Sequence, residues 1–202
     1  MIDLAQAKKL QDDRKSAAEK LLDYFRFQDL FNQYGDYVIR GSFAHDLMLK
    51  PDIDGTIFVS NLDLDKMLDL VGLLVKTPGV MSVTMENRAL VDERGETNKK
   101  GWVIRMKVPF EGLNWNFDIH ILKFEDSEGH DYLGEHKYTQ LQHDAMLLIK
   151  AQLTEMKRYP GSSKIPGSFA SVDIYRAVIE DGVMITDQLL FWGETHIYYG
   201  KV

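Results

Sequence analysis

Apolar and polar positions follow two periods along this chain. Through residues 3–33, Leu10, Ala17, Leu21, Leu22, Tyr24, Phe25 and Phe31 recur at helical spacing with Lys, Asp and Glu between them, which predicts one amphipathic helix. Gly35 ends it, as glycine often does just past a helix. Tyr37-Val38-Ile39 has the character of a short buried strand, and residues 42–49 suit one or two helical turns before Pro51 stops them. Residues 53–60 read as a second strand. Residues 63–76 read as a helix with Leu64, Met67, Leu68, Val71, Leu74 and Val75 on its apolar face. Pro78-Gly79 turns the chain. A strand with Val83 and Met85 alternating falls within 80–91, and a polar tip follows at 92–100. Residues 102–110 and 115–122 read as paired strands joined through Glu111-Gly112-Leu113-Asn114.

After His120 the character changes. Residues 125–137 are polar and read as a loop, and 140–158 as a strong amphipathic helix. PGSSKIPGS at 160–168 is a connection, and two further helices at 171–180 and 186–192 are broken at Asp181-Gly182. The expectation is an α+β core with an N-terminal helix over 1–123, followed by a helical C-terminal extension over 124–202 that packs on it.

Composition narrows the chemistry. The chain has no cysteine, which removes disulfides, thiolate metal sites and cysteine nucleophiles. The first residues are polar and charged, without the apolar stretch of a signal peptide, and the longest apolar runs are too short to span a bilayer. A cytoplasmic protein is expected. The formal net charge is −7, which argues against a nucleic-acid partner and suits a small or cationic one. Walker A, GxGxxG, HExxH and GxSxG patterns are absent from the sequence, and His130, His136 and His143 lack zinc spacing.

Three pieces carry chemistry: Gly41-Ser42 after a strand, Asp52-Ile53-Asp54 opening the next, and Asp118 inside a later one. Residues two apart on a strand share a face, so Asp52 and Asp54 point one way while Ile53 enters the core. Neighbouring carboxylates repel unless something neutralises them, and a divalent cation does so. Magnesium takes oxygen ligands, commonly one or two carboxylates with substrate phosphates. With Asp118 as a third acid, two ions suit an in-line phosphoryl or nucleotidyl displacement. Gly41 lets backbone approach a ligand, and Ser42 adds a hydroxyl, which together suit a triphosphate. Arg40 precedes this turn and is a candidate for the phosphates or for an ion pair elsewhere. His120 shares the strand face of Asp118 and is a candidate for contact with the metal site or the acceptor; His45 lies between the two motifs and is a candidate for the border of the phosphates or for the acceptor. Arg105 and Lys107 alternate on one strand face, as the wet side of a sheet or the lining of a cleft.

RGSFAHDLMLKPDIDGTIFV followed by WNFDIHIL resembles the signature of the nucleotidyltransferase superfamily. The likeness covers residues 36–123 and is nearest to the small bacterial members that adenylylate lincosamides or aminoglycosides. It implies an α+β fold with a mixed sheet and flanking helices, a nucleoside triphosphate donor with ATP foremost, magnesium, and release of pyrophosphate. It also implies that a basic residue on the following helix, here Lys150, reaches the triphosphate; a solvated lysine is the alternative. One position departs from the pattern, and one spacing is long for it. Gly55 stands where the family has an apolar residue, and the long gap from Asp54 to Asp118 calls for a hairpin insertion at 86–100. The expected activity is transfer of a nucleoside monophosphate to a hydroxyl of a small acceptor. A silent or antitoxin-like triphosphate-binding module, and an enzyme that adds AMP to proteins, stand beside it.

Overall fold

A computed structural model describes residues 1–88, 101–126, 131–161 and 167–198. Among them the chain divides into two compact units, one of residues 13–131 and one of residues 1–12 with 132–202. The polar tip expected at 92–100 lies outside the described residues.

The first unit is built on a five-stranded sheet. β1 (Asp36–Arg40), β2 (Asp52–Val59), β3 (Ser82–Asn87), β4 (Trp102–Phe110) and β5 (Leu113–Lys123) lie in the order β1-β2-β5-β4-β3. The β2–β5 pair is parallel and the other three pairs are antiparallel. This is the α+β class with a mixed sheet that the resemblance implies. The β4–β5 link is a two-residue hairpin with Phe110 paired to Leu113; Glu111 and Gly112 both take positive φ, as the tight turn of a right-twisted hairpin requires.

One face of the sheet is apolar. Ile53 and Ile57 of β2, Trp115, Phe117, Ile119 and Ile121 of β5, and Ile104, Met106 and Val108 of β4 join the core there. Helical residues of this unit bury side chains in the same core: the part of α1 (Leu4–Phe25) from residue 13 onward through Ala18 and Leu21, α2 (Phe27–Phe31) through Phe27 and Phe31, and α4 (Leu64–Lys76) through Met67, Leu70 and Leu74. The single helix expected over 3–33 is broken at Arg26, which takes φ 53°. That costs strain in a residue with a Cβ. The break lets Phe27 stack on Phe25 and meet Phe117 edge-on, and turns Phe31 against Tyr37. A one-turn helix, α3 (Gly41–Ala44), fills part of the segment between β1 and β2.

The second unit is helical: α5 (Tyr132–Glu135), α6 (Gln140–Glu155), α7 (Ser171–Ile179) and α8 (Thr186–Gly193). The segment expected as a loop over 125–137 therefore contains a helical turn, after a short 3-10 turn at Phe124–Asp126 in the first unit. Thr139 caps α6 in a reciprocal box with Gln142. Asp3 and Gln6 exchange the same pair of hydrogen bonds at the start of α1. Among the described residues no helix is long and apolar enough to cross a membrane.

Candidate functional site

The polar face of the sheet gathers the acids named above. In the parallel pair, Asp54 stands opposite Asp118 and Asp52 opposite Asn116. Partners in register share a face, and neighbouring strands lie about 4.8 Å apart. The backbone thus sets Asp54 and Asp118 side by side on adjacent strands, with Asp52 two residues away on the same face. On the far side of β2, Arg40 is the register partner of Asp54, and on the far side of β5, Arg105 is the partner of Asp118. One row across the sheet therefore reads Arg40, Asp54, Asp118, Arg105.

The turn after β1 is pressed against this row. Gly41 has φ +63°, and a Cβ added there would lie 2.6 Å from Asp54 Oδ2. Position 41 needs glycine both for its dihedral and for space. Gly55 has a different cause: a Cβ there would lie 2.4 Å from Tyr37 Cε2 and 2.6 Å from its hydroxyl. The departure at 55 is thus the seat of the Tyr37 ring on the core face. Burial, and then the charge of Asp54, push the Tyr37 phenol above its ordinary range. Its hydroxyl has no hydrogen-bond partner among the described residues.

Arg105 holds the acid on β5. Its Nε lies 3.4 Å from Asp118 Oδ1, and its Nη1 2.7 Å from Glu86 Oε2 on β3. The hydrogen bond from Arg105 is the main reason the Glu86 carboxyl sits below its usual range; the charge of Arg88 adds to it, against the opposing effect of burial. The Asp118 side chain is 40% exposed. Among the described residues no group of three or more His, Asp or Glu side chains stands close enough to hold a metal ion. Hard oxygen donors from Asp52 and Asp54 match what magnesium takes when phosphates complete its shell. A third carboxylate would have to come from Asp118, which this structure pairs with Arg105.

Arg40 and His45 converge on Asp131, an acid that no motif in the sequence marks. Asp131 lies 3.4 Å from Arg40 Nη1 and 3.3 Å from His45 Nε2, and all three side chains are mostly buried. The Arg40 guanidinium also stands over the Phe58 ring, 5.1 Å from its centre. A lone aspartate in a polar segment gives no sign of this long-range pairing. His120 is half-buried one row beyond Asp118, in register with Thr56. Ser42 is the second residue of α3, and its carbonyl accepts from the Leu47 N–H. Lys150 belongs to α6 in the helical unit and is 0% exposed, so it is not a solvated lysine. Its Nζ donates to Tyr175 Oη at 2.9 Å and stands 5.3 and 5.2 Å from the ring centres of Tyr159 and Tyr175.

No family model matches the chain, and neither does any curated protein. Among solved structures it is similar to a chain from the structure of the non canonical Poly(A) polymerase complex GLD-2 – GLD-3, at 16% identity and a TM-score of 0.47. The match covers 89% of this chain and 58% of that one.

Proposed function

We propose that the protein is a magnesium-dependent nucleotidyltransferase that moves a nucleoside monophosphate, AMP foremost, from a triphosphate to a hydroxyl of a small acceptor. One observation carries the reading: the Asp54–Asp118 row on the parallel strand pair, with Gly41 packed directly against Asp54. In this reading the backbone N–H groups and hydroxyl of Gly41-Ser42 hold the triphosphate. Asp52 and Asp54 are the metal ligands, with Asp118 joining where two ions are used. Bound magnesium supplies charge neutralisation at the phosphates. The acceptor oxygen bonds to the α-phosphorus, the bond from that phosphorus to the β-phosphate bridging oxygen breaks, and pyrophosphate leaves. The hydroxyl proton goes to the Asp118 carboxylate, which must lie within hydrogen-bond reach.

Calorimetric titration of ATP, GTP, CTP and UTP with magnesium tests it. Wild type is expected to bind at least one triphosphate only when magnesium is present. Asp52→Asn/Asp54→Asn is expected to weaken that binding by at least about tenfold, equal to about 1.4 kcal/mol. A folded wild type that binds no triphosphate sinks the proposal. The hold of Arg105 on Asp118 favours a second reading, a silent triphosphate-binding module. Pyrophosphate release in a screen of hydroxyl acceptors, lincosamides and aminoglycosides included, separates the two.

A further inference from the structure

The groove beside the carboxylates has a second wall that the transfer chemistry above does not use. The groove measures about 430 Å³, with Asp52, Asn116 and Asp118 on one side. The other side is formed by β3 and β4 through Ser82, Thr84, Arg105 and Lys107. Register arranges these in two rows, Asp118–Arg105–Thr84 and Asn116–Lys107–Ser82. Arg105 is already shared between Glu86 and Asp118. Lys107 is exposed and makes no ion pair among the described residues. Its ammonium offers three donors, and the hydroxyl of Ser82 and the amide of Asn116 stand in the same row. A cationic ligand on this wall would meet the Lys107 ammonium, which is unfavourable at short range, whereas the charge of Arg105 is already balanced by Glu86 and Asp118.

We infer that this wall holds an anionic group of the acceptor, and that the substrate is a small hydroxy compound carrying a phosphate or carboxylate. The inference rests on the nucleotidyl-transfer reading. The strand order assigns the wall to the acceptor and not to the donor. Gly41-Ser42 follows β1 on one side of the Asp54–Asp118 row, and β4 and β3 lie on the other. One anion site therefore stands on each side of the carboxylates, and the acceptor hydroxyl meets Asp118 between them. The wall begins one strand from Asp118 and ends two strands away, so hydroxyl and anion are separated by roughly 5–10 Å. The charge of the whole chain favours cations; this wall is a local exception to it.

Backbone-amide NMR titration of the full chain tests the inference. Glycerol 3-phosphate and glycerate serve as anionic hydroxyl probes, glycerol as the neutral one and ethanolamine as the cationic one, each with and without saturating magnesium–ATP. At least one anionic probe is expected to shift the amides of Ser82, Thr84, Arg105 and Lys107 saturably, also with magnesium–ATP present, while glycerol and ethanolamine do not. Lys107→Gln is expected to weaken that binding by about tenfold, the loss of one charge-assisted hydrogen bond, with amide dispersion otherwise unchanged. The inference is overturned if neither anionic probe shifts these amides, if ethanolamine or glycerol binds equally, or if Lys107→Gln binds like wild type. Displacement of the probe by magnesium–ATP gives the wall to the donor and overturns it as well. Normal magnesium–ATP binding without a probe site overturns this inference alone. Failure of magnesium–ATP to bind overturns the transfer reading and, with it, the acceptor assignment.

Discussion

Gly41 and Gly55 border the same acid for opposite reasons. Gly55 gives its space to the Tyr37 ring on the core side, whereas Gly41 gives its space to the Asp54 carboxylate on the polar side. A side chain at 41 would be strained by about 1–2 kcal/mol through its left-handed dihedral alone. It would also drive Asp54 Oδ2 from its position. Gly41→Ala is therefore expected to lower the melting temperature by only a few degrees, at about 2–4 °C per kcal/mol for a chain of this size. Magnesium–ATP affinity is expected to fall much further, by at least about tenfold. Thermal unfolding and calorimetry on the same preparation separate the two effects. Full affinity in a destabilised Gly41→Ala would show that the close approach of turn and carboxylate does not matter to binding.

At the scale of elements, α4 shows what a hydrophobic pattern specifies and what it leaves open. Leu64, Leu68 and Val75 were expected on the core face, yet they are 52%, 53% and 60% exposed. Met67 and Leu74 of that expected face do enter the core, and Leu70, which the pattern leaves out, joins them. The helix carries apolar residues on more than one stripe, so spacing predicts a helix without saying which stripe faces the sheet. Leu70→Ala is expected to cost about 2–5 kcal/mol as a buried truncation. Leu68→Ala is expected to stay within about 0.5 kcal/mol. Urea denaturation of the pair decides, and equal losses would contradict the burial. The strands were more legible. Alternation around Val83 and Met85, and the turn chemistry at Glu111-Gly112, locate β3, β4 and β5 to within a few residues. The period-two placing of Asp52 and Asp54 is equally local. What no local signal marks is pairing: the parallel register that sets Asp118 beside Asp54, the reach of Asp131 to Arg40 and His45, or the sharing of Arg105 between Glu86 and Asp118. The break at Arg26 belongs with these, because the aromatic packing that favours it lies in distant strands.

At the scale of the whole molecule, chain order and compact units do not coincide. Residues 1–12 belong with the C-terminal helices. Ala7 is fully buried, the Ile2 N–H donates to Glu155 at 2.9 Å, Gln152 donates to the Ile2 carbonyl at 3.1 Å, and Lys8 pairs with Asp144 at 2.8 Å. The exposed ion pair contributes little, about 0–1 kcal/mol. Most of the loss on removing this segment comes from burial and the backbone hydrogen bonds. Deleting residues 1–12 is expected to lower the melting temperature by several degrees, at about 2–4 °C per kcal/mol. Circular dichroism melting of the shortened chain checks it, and an unchanged midpoint would show that the segment adds nothing. The parallel β2–β5 pair has a consequence for how the protein comes into being. Between these strands the chain must first lay down α4, β3 and β4, and such non-local pairing is slow to form because loop-closure entropy precedes its reward. A chain still leaving the ribosome carries Asp52 and Asp54 long before Asp118 exists to stand beside them. The nascent polypeptide therefore has no completed carboxylate row until β5 has been made and has found its place between β2 and β4.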